Sequence, residues 1–132
     1  WTRCPSHLTI WRKSMGDLST NFSRHEFKCK CTKCEYDTVD GELLIVLEKL
    51  RTYFRGTTVT IGSGHRCPSH NEAIGGAENS MHLTGKAADI YVEGFSPAEV
   101  CAYLRTQYVG KFGIGEYEIF THIDVRHDQA RW

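Results

Sequence analysis

Proline is scarce in this chain, at three in 132 residues, which argues against a Pro-rich disordered segment. No apolar stretch approaches the roughly 18 residues that mark a membrane-spanning helix. Neither sign of charge is in excess. Lys+Arg and Asp+Glu number 16 each, for a formal net charge of zero, so no general pull toward nucleic acid or an anionic membrane is expected. Internal repeats and flexible linkers are also missing. The length suits one hydrophobic core and is short for two.

Cysteine and histidine are plentiful, with six and seven copies. An even cysteine count in a short chain suits disulfides in an oxidising compartment. Residue 1 is Trp, and no apolar signal segment leads the chain, so a processed, secreted protein is expected. Asn21-Phe22-Ser23 is a glycosylation sequon, relevant only to eukaryotic secretion.

Residues 1–20 show no periodicity and read as an irregular arm on a domain spanning 21–132. Ser23 and Glu26 are spaced for a capping box, which predicts a short helical turn near 24–28. Leu43, Leu44, Leu47, Leu50 and Phe54 form one apolar stripe, predicting a helix from Gly41 to Phe54 that Gly56 stops. Thr57–Ile61 is rich in β-branched residues and predicts a strand. A short helix is expected over Pro68–Ile74 and a second strand over Ala87–Val92. Ser96-Pro97-Ala98-Glu99 starts a helix running to about Tyr108. A third strand is expected over Ile119–Arg126, after an extended Gly113-Ile114-Gly115 approach. The fold class that follows is α+β, an antiparallel sheet flanked by helices.

Two of these strands carry chemistry. Ala88, Ile90 and Val92 share one face of the second strand, and Asp89 lies on the other. His82 stands in the loop before it. On the third strand Thr121, Ile123 and Val125 alternate with His122 and Asp124. Neighbouring strands would bring His82, Asp89 and His122 together, two imidazoles and a carboxylate suited to one Zn2+ with an open position. Such a centre carries a net charge of about +1, and it acidifies a bound water and polarises a carbonyl. Taken singly, a His is more often a surface or hydrogen-bonded residue than a metal ligand.

The run Ser80-x-His82-x2-Gly85-x-Ala87-x-Asp89, followed by His122-x-Asp124-x-Arg126, resembles the zinc D-Ala-D-Ala carboxypeptidases and phage endolysins of the M15 peptidase family. So do Ser63-Gly64-His65-Arg66-Cys67-Pro68-Ser69-His70-Asn71, Gly75 to Ser80, Gly113-x-Gly115-x-Tyr117, Asn21-Phe22-Ser23 and Glu26-Phe27-x-Cys29. The resemblance covers roughly residues 21–132. It implies His82, Asp89 and His122 as ligands of one catalytic zinc. It also implies that Arg66 holds a substrate carboxylate or polarises the scissile carbonyl, as a guanidinium fork can. The bland reading of Arg66 is a structural ion pair. Ser80 matches a residue near the substrate and reads equally as a loop-capping hydroxyl. His65 takes the place of an aromatic, to line the cleft or to pack.

Several members carry an acidic residue three positions before the last ligand, where this chain has Ile119. Glu118, Asp124 and Glu116 are then the candidate bases. Strand parity puts Glu118 and Asp124 on the face of His122. Asp124 is roughly 7 Å away along a strand and Glu118 roughly 13 Å. Glu118 is preferred for its nearness to the family position, and Asp124 serves equally well to orient a ligand. Tyr117 offers an oxyanion donor or a packing ring.

Cys29-x-Cys31-x2-Cys34 leaves two readings. One is a structural zinc knuckle completed by Cys67 or a His. The other, favoured with Cys4 and Cys101 present, is a set of disulfides. The expectation overall is a monomeric, secreted zinc peptidase acting on peptidoglycan peptides, with no nucleic-acid partner and no membrane span. The alternative is an inactive, hedgehog-like zinc binding module, which the residue at position 119 keeps in play.

Overall fold

The computed structural model describes residues 16–31 and 33–132. Most of the expected N-terminal arm, with Cys4, lies outside the described residues. A 3-10 turn at Arg24–Phe27 leads to α1 (Gly41–Tyr53), β1 (Val59–Ser63) and α2 (Pro68–Ala73). A second 3-10 turn (Met81–Thr84) precedes β2 (Ala87–Val92), α3 (Pro97–Gln107), β3 (Gly113–Glu116), β4 (Thr121–Asp124) and β5 (Ala130–Arg131). One sheet takes the order β1-β2-β4-β3-β5. Its pairs are antiparallel except β3–β5, which is parallel. The α+β class is therefore observed, with one parallel edge.

The capping chemistry is largely as the sequence implies. The Ser96 hydroxyl accepts from the Glu99 amide at 3.2 Å, and Pro97 opens α3. At the first turn Ser23 and Glu26 form the expected capping box. Glu26 accepts from the Ser23 amide at 2.7 Å, and the Ser23 hydroxyl also accepts from Asp17 N at 3.2 Å. Helix α1 buries Leu43, Val46, Leu47 and Leu50. Val46 takes the central place expected of Leu44, which is only partly buried against the core. With Phe22, Phe27 and the α3 residues Val100, Cys101 and Leu104, this stripe covers one face of the sheet, meeting Ala88, Ile90, Ile114 and Ile123. The opposite face is left for polar residues.

The expected third strand is two elements. The chain turns between Tyr117 and Phe120, where the Tyr117 amide donates to Phe120 O at 3.0 Å. The Gly113–Gly115 approach is itself strand β3, so β3 and β4 form a hairpin. Parity carried through Glu118 and Ile119 fails for this reason.

Glu48 on α1 anchors the segment before the first turn. It accepts from Ser19 Oγ at 2.6 Å, Asn21 N at 2.7 Å and Asn21 Nδ2 at 2.6 Å. The sequon asparagine is thus tied to α1. Burial, the largest influence, raises the Glu48 pKa, but the bonds from Ser19 and Asn21 outweigh it and leave it lowered. A depressed folded-state pKa stabilises above the unfolded value and loses that contribution as pH falls through the folded one. Glu48→Gln is expected to lower stability at pH 7 by about 1–3 kcal/mol. The deficit should shrink toward acid, as denaturant melts at two pH values would show. An equal deficit at both would remove the charge from the explanation.

Candidate metal centre

Strand register builds the centre. Asp89 on β2 is the direct cross-strand partner of His122 on β4, so both side chains rise from the polar face of the sheet. His82 comes from the 3-10 turn ahead of β2, which the Ser80 hydroxyl caps by accepting from His82 N at 3.1 Å. Gly85 closes that turn in the left-handed region, at φ 75°. One ligand atom from each of His82, Asp89 and His122 lies within 4.8 Å of the others. His82 Nε2 is 3.3 Å from Asp89 Oδ1, and His122 Nδ1 is 2.9 Å from the same oxygen.

The orientation of the two rings fits a cation. His82 Nδ1 lies 2.7 Å from Gly64 O. A carbonyl only accepts, so Nδ1 carries the proton and Nε2 presents its lone pair. That Nε2 is buried and makes no hydrogen bond among the described residues, which is costly without a ligand. His122 Nε2 lies 2.7 Å from Asp124 Oδ2, leaving Nδ1 toward Asp89. Ligand histidines generally bond their second nitrogen to a carbonyl or a carboxylate, and here one ring does each.

Asp124 is completely buried. Besides His122 it binds Arg126 Nε at 2.8 Å and Nη2 at 2.7 Å, and accepts from the Arg126 amide and the Gly113 amide, each at 3.2 Å. Burial pushes the carboxyls of Asp89 and Asp124 up, but their hydrogen bonds outweigh it and hold both below the usual carboxylate range. For His122 burial is again the largest influence, downward, and the bonds to Asp124 and Asp89 overturn it upward.

The glycines of β3 make room for this arrangement. Gly113 faces Asp124 and Gly115 faces His122 across the β3–β4 pair. A Cβ on Gly113 would strike the Asp124 carboxylate, and one on Gly115 would come within 2.5 Å of the Trp132 indole. That indole lies over His122, with ring centroids 5.1 Å apart.

A cleft of about 570 Å³ opens above the three ligands, lined also by Arg66, Glu78, Ser80, Tyr117, Arg126 and Trp132. Arg66 donates to Ser63 Oγ at 3.1 Å, Asn71 Oδ1 at 3.0 Å and Asp89 Oδ2 at 3.3 Å. Its guanidinium has five N–H groups, so donors remain for a substrate. Both sequence readings of Arg66, ion pair and cleft cation, are met by one geometry. The same holds for Ser80, which caps a turn and lines the cleft.

This combination of a facial ligand set with an arginine-lined cleft belongs to hydrolytic metal sites, and the Peptidase M15 family profile matches residues 20–124. The chain belongs to the Peptidase M15 family. Membership implies a zinc peptidase. Comparison with curated proteins gives no significant match. The family's zinc finds a fitting donor set in His82, Asp89 and His122.

Other M15 expectations are relocated. Glu118 is exposed at the hairpin tip and does not line the cleft. Glu116 pairs with Arg105 of α3 at 3.3 Å, on the far face of the sheet. Ile119 is 66% exposed. His65 is a packing residue, accepting from Thr38 N at 2.9 Å and lying 3.2 Å from Leu83 O. Tyr117 lines the cleft, and its hydroxyl accepts from Trp132 Nε1 at 2.8 Å. Glu78 stood within the quoted Gly75 to Ser80 run without a role, and Trp132 was missed. Both reach the cleft from segments without helix or strand periodicity. Arg126 stood within the quoted motif, but its bond to Asp124 depends on the bend after β4.

The favoured disulfides are not observed. No disulfide joins the described cysteines, and Cys101 is a buried core residue whose thiol burial pushes up. Cys29, Cys31, Cys34 and Cys67 instead gather in one group. The Lys33 amide and the Cys34 thiol draw the Cys31 pKa down to about 7. The Tyr36 amide, the largest influence, draws the Cys34 pKa down, but burial and the neighbouring thiols together outweigh it and push it up to about 12. The even cysteine count therefore no longer argues for an oxidising compartment.

Proposed function

We propose that this M15 peptidase hydrolyses peptidoglycan peptides, at a C-terminal D-Ala-D-Ala or a related cross-link bond. The observation that carries the reading is the placement of two guanidiniums, Arg66 and Arg126, on the walls of the same cleft as the ligand set. Stem peptides end in a carboxylate, and a guanidinium fork matches it. When bound, zinc supplies Lewis acidity that lowers the pKa of a coordinated water and polarises the scissile carbonyl.

The chain's own residues do the remainder. His82 and His122 present fixed lone pairs, each held by its second nitrogen. Asp124 orients His122 and is neutralised by Arg126, so it acts as a positioning residue. Arg66 steadies Asp89 through one Nη and offers its remaining N–H groups to the substrate. The Trp132 indole shields one side of His122 from water. Among the described cleft-lining residues, Glu78 is the carboxylate left once Asp89 serves as a ligand, and we assign it the proton-handling role. Glu78→Gln is expected to lower turnover by about 100-fold or more without loss of bound zinc. Glu118→Gln, a surface change, should stay within about twofold. The reverse pattern would restore Glu118 as the base.

The direct test is digestion of purified peptidoglycan by the zinc-loaded protein, with mass analysis of the fragments. Stem peptides shortened by one residue or cut cross-links are expected. No released fragment from any wall preparation would contradict the reading. Exposed Ile119 in place of the expected acid favours one second reading, a zinc-shaped recognition surface. Binding of stem peptides without cleavage would support it.

A further inference from the structure

The four gathered cysteines lie apart from the cleft ligands and take no part in the proposed hydrolysis. Their Sγ atoms all fall within 4.8 Å of one another. Cys31 Sγ is 3.4 Å from Cys34 Sγ and 3.9 Å from Cys67 Sγ. A disulfide requires about 2.05 Å. Four sulfurs at about 2.3 Å from one zinc stand about 3.8 Å apart at the corners of a tetrahedron. The observed separations bracket that edge.

Backbone donors support the same arrangement. The Lys33 amide donates to Cys31 Sγ, the Cys67 amide to Cys29 Sγ and the His70 amide to Cys67 Sγ, each at 3.4 Å. Amides aimed at sulfur stabilise thiolate charge. The loop is closed at its base by Cys29 N donating to Tyr36 O at 2.8 Å. Cys29 and Cys67 are buried while Cys31 and Cys34 are half-buried, so the group sits just beneath the surface. Lys28, Lys30 and Lys33 alternate with the cysteines in sequence and offset the net charge of about −2 that four thiolates and one Zn2+ would carry.

We propose that Cys29, Cys31, Cys34 and Cys67 bind a second Zn2+, in a closed structural site separate from the peptidase centre. All four positions are filled by the protein, which leaves none for water or substrate. The site clips the 29–34 loop to the start of α2. Cys67 directly follows Arg66, so the metal fixes the backbone from which that guanidinium reaches Asp89. The pairing joins residues more than 30 positions apart in sequence, as a disulfide would have done.

The test is metal analysis of the 132-residue chain, with cobalt substitution as a second readout. Two zinc ions per chain are expected in the unmodified protein. Cys34→Ser should lose one, His122→Ala should lose the other, and Cys34→His should keep two. Cobalt-loaded protein should show a strong near-ultraviolet sulfur-to-cobalt band that persists in His122→Ala. That persistence separates this site from the peptidase centre, and it decides the matter even where Cys34→Ser fails to fold. Only one zinc per chain in the unmodified protein, with none left in His122→Ala, would overturn the proposal. So would cysteines recovered as disulfides, iron in place of zinc, or no sulfur-to-cobalt band.

Discussion

Asp124→Ala is expected to destabilise the metal-free protein by about 3–5 kcal/mol, the cost of breaking a buried ion pair by removing one partner. Asp124 is completely buried and receives bonds from His122, twice from the Arg126 guanidinium, and from two backbone amides. Alanine leaves the Arg126 charge and the His122 Nε2 proton without their partner. Because the Asp124 carboxyl is depressed in the folded state, its stabilisation is present at neutral pH. It is lost as pH falls through the lowered value. Asp124→Asn keeps the volume and one acceptor but not the charge. Zinc affinity in the cleft should fall by about 10–100-fold, as it does when a partner behind a ligand is changed. Denaturant melts in chelator and zinc competition read the two effects separately. Wild-type stability together with wild-type zinc affinity would show that Asp124 does not hold the ring.

His122→Ala should have the opposite signature, a small structural effect and a large functional one. Arg126 keeps its two bonds to Asp124, so no charge is stranded. The cleft, however, retains only His82 and Asp89 from its ligand set. Hydrolysis should drop by more than the roughly 100-fold that attends loss of a supporting residue. The cleft zinc should be lost with it. Retained hydrolysis with retained cleft zinc would move the metal centre elsewhere.

These three candidate ligands were legible because each lies next to a strong local signal and within a motif that resembles the family's. Asp89 sits on an alternating strand, His122 on another, and His82 precedes the glycine that ends its turn. Helices α1 and α3 were legible from apolar spacing and from Ser96-Pro97. The β3–β4 hairpin was not. Gly113 and Gly115 have no side chains to show alternation, and their role is to leave space for Asp124 and Trp132. Reading Ile119–Arg126 as one strand followed from that, and so did placing Glu118 on the face of His122; the preference for Glu118 itself rested on its nearness to the family position. The cysteine group was ambiguous for a different reason. Spacing shows Cys29, Cys31 and Cys34 together, but Cys67 joins them only through the fold. Trp132 over His122 is likewise a contact between chain end and sheet, which no local pattern encodes.

The measurement closest to the central claim is a diffraction map from crystals of the zinc-loaded protein, recorded at the zinc absorption edge. The expected result is an anomalous peak in the cleft bonded to His82 Nε2, a carboxylate oxygen of Asp89 and His122 Nδ1, with His122 Nε2 still on Asp124. A cleft without a peak, or zinc bound through His122 Nε2 with Asp124 displaced, would contradict the account.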